Sequence, residues 1–233
     1  MTICICFHFG EYILFIADTR TVFGSPTIYH KDDSVKIINT GIGLITGAGL
    51  LKLLDNVKSR ISSQQISHTD NIMEIINSER EKIRYQYQSN LEKEQIEKWI
   101  TETSWFFTYC TLQDWQVILP LALVSGSLEN ELYLTEPPIA SIILTSEAGL
   151  QVAKDYELKL NKNLKPLLDF RDFDEHLGYH ISLSAKIIQS ASKKYNTISS
   201  KMIYGFHTID GKIEISDIIE LKNEQENNNS IDS

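Results

Sequence analysis

A threonine stands at position 2, directly behind Met1. A threonine hydroxyl is a poor nucleophile near neutral pH and needs a base within hydrogen-bond reach. At a free N-terminus threonine carries that base itself, because its α-amine titrates at about 7.7–8.0, close to working pH. Removal of Met1 would therefore make Thr2 a self-contained nucleophile for acyl transfer. Thr2 is small, so a methionine aminopeptidase is expected to expose it, and no self-cleaving propeptide is expected. Other residues offer weaker chemistry. Cys4, Cys6 and His8 share one face by period two, but a single strand sets them out in a line. Small core fillers are the stronger reading there than a metal site. His176 and His180 sit four residues apart in a helical stretch with no adjacent glutamate motif, which reads as a solvated or packed pair. The run from Glu92 to Lys98 reads as a solvated helix face.

The elements that must position Thr2 begin at once. Ile3 to Phe9 and Tyr12 to Ala17 are rich in β-branched and aromatic residues and flank a turn at Gly10-Glu11, so they predict a strand pair. The second strand is nearly continuous in apolar residues and should be covered on both faces. Asp18 to Ser34 is a polar connection containing Gly24 and Pro26. Val35 to Asn39 and Leu44 to Thr46 predict a second pair of short strands. After Gly47-Ala48-Gly49 the period changes. Leu50, Leu51, Leu54, Val57 and Ile61 recur at helical spacing to about Ser62. A second helix starts near Thr69 or Asp70, and Glu92 to Trp99 continues as helix. Strands return at Trp105 to Leu112, Gln116 to Ser125 and Glu131 to Thr135, with a hairpin turn over Gly126 to Asn130. Ser141 to Leu144 is a short strand beyond Pro137-Pro138. Helices follow at about Glu147 to Leu158 and Glu175 to Tyr195. Lys201 to His207 and Lys212 to Ile219 predict a last hairpin.

Two sets of strands and two sets of helices imply an α+β fold, a four-layer αββα sandwich of two antiparallel sheets. Residues 1–221 read as a single domain, and the Asn/Glu-rich tail 222–233 as disordered. The 233 residues suffice for one large core. The formal net charge of -9 argues against nucleic acid or an anionic membrane as partner, since both call for a basic face. No apolar run reaches the roughly 18 residues that would span a bilayer. The apolar start lacks a basic leader and carries His8, Gly10 and Glu11, so it reads as structure and not as a signal peptide. Three cysteines are too few for a disulfide framework and fit no zinc motif, which points to a reducing cytoplasm.

The opening resembles proteasome β subunits and their bacterial relatives. The pieces that carry the resemblance are Met1-Thr2-Ile3, Ile16-Ala17-Asp18-Thr19-Arg20-Thr21, Val35-Lys36-Ile37-Ile38 and Thr46-Gly47-Ala48-Gly49. The interval from Thr2 to Asp18 equals the family's interval from nucleophile to aspartate. The loop before Lys36 is slightly longer than the family's. Leu123-Val124-Ser125-Gly126, Glu131-Leu132-Tyr133-Leu134 and Asn196-Thr197-Ile198-Ser199 match later segments.

The resemblance implies an N-terminal-nucleophile hydrolase of threonine type. Lys36 would hold positive charge beside Thr2, lowering the pKa of the amine and favouring a developing alkoxide. Asp18 would pair with Lys36 and aim it. A backbone N–H, from Gly47 in a tight turn, would form the oxyanion hole. Ser146 and Ser199 match the family's supporting serines, although the glycines that flank the first are absent. Asn196 replaces the family's aspartate. The implied activity is cleavage of peptide bonds in peptides or unfolded proteins, without metal or cofactor. The same likeness implies a homo-oligomeric ring and leaves room for an ATP-dependent unfoldase as partner. Two rivals remain open: a catalytically silent ring subunit, and an amide hydrolase or transpeptidase for one small substrate.

Overall fold

The computed structural model describes residues 2–23, 29–124, 133–144 and 149–221. In chain order the strands of the first half are β1 (Ile3–His8), β2 (Tyr12–Asp18), β3 (Thr21–Phe23), β4 (Tyr29–Lys31), β5 (Ile37–Asn39) and β6 (Leu44–Ala48). Helices α1 (Leu51–Ser63), α2 (Thr69–Tyr87) and α3 (Lys93–Thr101) follow. Then come β7 (Ser104–Thr108), β8 (Thr111–Gln113), β9 (Gln116–Ile118), β10 (Leu121–Val124), β11 (Tyr133–Thr135) and β12 (Ile139–Leu144). Helices α4 (Gly149–Lys162) and α5 (Phe173–Lys194) lead to β13 (Lys201–Thr208), β14 (Ile213–Ile215) and β15 (Ile219–Glu220).

These strands make two main antiparallel sheets. The first runs β12-β1-β2-β13-β14, with β15 beside β13; the second runs β11-β10-β7-β6-β5. The period-two alternation of β1 and β2 decides the layering. Cys4, Cys6, Ile13, Phe15 and Ala17 face the second sheet and meet Leu44, Phe106 and Leu121 there. Ile3, Ile5, Phe7, Leu14 and Ile16 face the other way and pack against Tyr156, Leu160, Ile187 and Ile188 of α4 and α5. The outer face of the second sheet is covered by α1, α2 and α3 through Leu53, Val57, Ile72, Ile76 and Ile100. The result is the α+β, four-layer αββα sandwich. Covering on both faces is why β1 and β2 read as near-continuous apolar runs.

Several boundaries differ from the expected ones, each for a local reason. The polar connection after Asp18 contains the short hairpin of β3 and β4, whose strands are too short to show alternation. The strand expected from Trp105 to Leu112 is two strands, and so is Gln116 to Ser125. The second break falls at Leu119-Pro120, since Pro120 brings no N–H to a ladder. The charged continuation of α2 is a separate helix, α3. Asp172 starts α5 two residues early by accepting the Glu175 N–H at 2.9 Å. The last segment divides into β14 and β15, which pair with opposite ends of β13. The turn expected over Gly126 to Asn130 and the tail from Lys222 lie outside the described residues.

His176 and His180 prove to be a packed pair, both fully buried on α5. The Tyr12 hydroxyl and His176 Nδ1 are 2.7 Å apart, and His176 Nε2 lies 2.7 Å from the Lys165 carbonyl. That carbonyl can only accept, so His176 carries its proton on Nε2 and Tyr12 donates to Nδ1. His180 Nδ1 donates to the His176 carbonyl at 2.9 Å. Burial lowers the pKa of His180 to about 4. The unfolded chain takes up this proton near pH 6.5 and the folded chain only near pH 4. Stability is therefore full above pH 6.5 and falls between 6.5 and 4, at up to about 1.4 kcal/mol per pH unit from this group. Urea unfolding at pH 7 and pH 5 should show the loss, and His180→Phe should reduce it.

Candidate active site

The β1–β2 turn needs Gly10, whose φ of +91° suits glycine. It fixes the register Cys4↔Ala17, which sets Ile3 beside Asp18. The Ile3 N–H then donates to Asp18 Oδ1 at 2.9 Å. On the other flank β13 pairs with β2 in the register Met202↔Asp18. This brings in the preceding turn, and the Ser199 N–H reaches Asp18 Oδ2 at 3.3 Å. The Arg20 N–H donates to the same oxygen at 3.0 Å. Asp18 is thus fully buried and held by three backbone N–H groups from three segments.

Lys36 precedes β5, in the opposite sheet. Its Nζ crosses to donate to Asp18 Oδ1 at 3.0 Å and to Thr2 Oγ1 at 3.0 Å. Its side chain is 6% exposed. The pair ties the two sheets at the end of the sandwich where Thr2 lies. Beside it the Arg20 guanidinium meets both oxygens of Asp32, at 2.5 and 2.7 Å, and also donates to the Asn196 carbonyl. Hydrogen bonding with Arg20 holds the Asp32 carboxyl below its ordinary pKa and raises that of Arg20.

The structure brings Thr2, Asp18, Lys36, Gly47 and Ser199 to this end of the molecule, with differences in detail. Gly47 does not sit in a turn. It pairs with Trp105 inside β6, and a Cβ there would stand 2.8 Å from the Ser104 carbonyl oxygen and from the Trp105 ring. The turn falls at Gly49, where φ is +142° and a Cβ would lie 2.4 Å from Thr103 Cα. Ser199 reaches Asp18 through its backbone, while its hydroxyl accepts the Lys201 N–H at 3.0 Å. Among the described residues, Asn196 enters only through its carbonyl, which accepts from Arg20. Ser146 lies outside the described residues.

Thr2 opens onto a cavity of about 430 Å³ whose walls include Gly47, Gly49, Leu54 and Lys58. Lys58 and Asp32 are residues that the reading of the sequence did not single out, and Arg20 it quoted only as part of the Ala17-Asp18-Thr19-Arg20 motif. For Lys58 a signal existed. Leu51, Leu54, Asp55 and Lys58 lie at i, i+3, i+4 and i+7, one face of α1. For Asp32 there was none, because the β3–β4 hairpin that returns it to Arg20 is not written in alternation. Among the described residues no group of three potential metal ligands occurs, and no helix is long and apolar enough to cross a membrane.

The chain folds as an αββα sandwich with Thr2 immediately before β1. Among solved structures, the chain is similar to a mutant form of Anbu from Hyphomicrobium sp. strain MC1. The TM-score is 0.60 at 13% identity, over 96% of this chain and 88% of that one. Anbu from the same strain gives 0.56 at 15% identity, over 96% and 89%. No family model matches, and no curated protein matches. The resemblance of the opening motifs to proteasome β subunits and their bacterial peptidase relatives is corrected accordingly: it does not extend to membership of that family. What stands is a likeness of fold, to Anbu. Alternating apolar strands under amphipathic helices preserve such a fold at identities where most individual residues have changed.

Proposed function

We propose that the chain is an N-terminal-nucleophile amide hydrolase with Thr2 as its nucleophile, acting on peptide bonds. The observation that carries the reading is the single lysine ammonium bonded at 3.0 Å to both the Thr2 hydroxyl and the buried Asp18 carboxylate. With Met1 removed, the α-amine of Thr2 takes the Oγ1 proton as that oxygen attacks the carbonyl carbon. Lys36 stabilises the developing charge on Oγ1. Gly47 and Gly49 line the same cavity, and their N–H groups would receive the oxyanion; losing such a donor typically costs about 10²–10³ in rate. The C–N bond then breaks, the leaving amine departs with the proton held by the α-amine, and water hydrolyses the acyl ester on Thr2. No step requires a metal or cofactor.

Ser199 and Asn196 act in this reading through the backbone, by fixing Asp18 and Arg20. Ser146 keeps the supporting role that its sequence position suggests. Copies of the chain would associate into a homo-oligomer. The hairpin of β8 and β9 supports this, since it holds Trp115 99%, Leu112 71% and Val117 47% exposed.

The test is the intact mass of the purified protein before and after an epoxyketone probe directed at N-terminal threonine. The expected result is a chain lacking Met1 that takes one adduct, with no adduct on Thr2→Ala. A chain that retains Met1, or a processed chain that takes no adduct, would assign the fold to a catalytically silent subunit.

A further inference from the structure

The cavity beside Thr2 carries charges that the nucleophile does not use. Five ionisable side chains line it: Lys31, Lys36, Lys58, Asp33 and Asp55. Two of them are matched already. Lys36 is paired with Asp18 at 3.0 Å, and Asp33 lies 3.5 Å from Lys201 Nζ. Lys31 and Lys58 then stand against the single carboxylate of Asp55, which is exposed to solvent. Lys58 is the better placed of the two lysines. It projects from the α1 face that also presents Leu51 and Leu54 to the cavity. Its Nζ donates to the Val35 carbonyl at 3.2 Å across the cavity wall. Among the described residues Lys58 forms no ion pair, although an ammonium has three N–H donors to satisfy. Burial also holds its pKa below the ordinary lysine value, and nearby Asp55 offsets this only in part, so its charged form is incompletely compensated. A carboxylate supplied by the substrate would give that compensation through a charge-assisted hydrogen bond.

We propose that this cavity selects peptides with an acidic side chain next to the bond to be cut, and that Lys58 is the residue that recognises the carboxylate. The proposal rests on the reading of Thr2 as nucleophile for its biological sense, but its binding claim is separable. The apolar wall of Leu54 and the stem of Lys58 would receive the methylenes of a glutamate, and the ammonium its head. Glutamine has the same shape without the charge and is the matched control.

The experiment is calorimetric binding of two N-acetyl tetrapeptide amides, differing only in Glu or Gln at one position, to the Thr2→Ala chain, which cannot turn them over. Glu is expected to bind at least tenfold more tightly, with the difference shrinking as salt is raised. Lys58→Met should remove the difference, and Lys58→Glu should invert it in favour of a Lys-bearing peptide. Circular dichroism of each variant checks that the fold persists. Equal binding of Glu and Gln peptides, or no response to either Lys58 substitution, overturns the proposal. A Glu preference in a protein whose wild-type Thr2 takes no probe adduct would sink the nucleophile reading and leave the acidic-peptide site standing.

Discussion

Replacing Asp18 with alanine should lower the free energy of unfolding by about 3–5 kcal/mol, the usual result of removing one partner of a buried ion pair. The substitution leaves the Lys36 ammonium buried without its counter-charge. It also strands the N–H groups of Ile3, Arg20 and Ser199, which Asp18 now satisfies. Each buried donor left unmade adds a desolvation penalty. For a chain of this size the midpoint of thermal unfolding should fall by roughly 6–20 °C. Asp18→Asn keeps one acceptor oxygen and the side-chain shape, so it should cost less. Urea unfolding of the three proteins checks the order. A loss below about 1 kcal/mol for Asp18→Ala would place the pair among the solvent-screened ones.

Lys36→Met separates chemistry from stability. The methionine fills much the same volume, and Asp18 keeps its three backbone donors, so the stability loss should be smaller than for Asp18→Ala. The rate of adduct formation at Thr2 should nevertheless fall by roughly 10²–10³, the range for losing a positioned donor that stabilises developing charge. The measurement is the single-turnover rate of labelling with excess probe. A labelling rate within a few-fold of wild type would show that the 3.0 Å contact between Lys36 and Thr2 is structural only. The double variant with Asp18→Asn should lose less stability than the sum of the two single losses, because both substitutions break the same pair.

Much of the fold was legible along the chain. The first strand pair, the helix after Gly49 and the last long helix each declare their period. Short elements did not. β3, β4, β8 and β9 have three residues apiece, too few for alternation to show. The division of the strand at Pro120 could have been read from that residue, since proline cannot donate to a ladder.

What the sequence determined by itself was the chemistry available at one end of the molecule: a near-terminal hydroxyl, an aspartate at the end of the second strand, and a lysine beyond. Those positions are local, and residue type together with strand spacing carries them. The tertiary structure decided how they meet. Asp18 ends a strand of one sheet and Lys36 directly precedes a strand of the other, and only the packing of one sheet on the other sets their oxygen and nitrogen 3.0 Å apart. Packing also moved the tight turn from Gly47 to Gly49, because Gly47 is required by the Trp105 ring beside it and Gly49 by its positive φ. It assigned Ser199 to the backbone of Asp18, Asn196 to Arg20 and Lys58 to the cavity wall. Such contacts join residues far apart in the chain, and no periodicity within a single element encodes them.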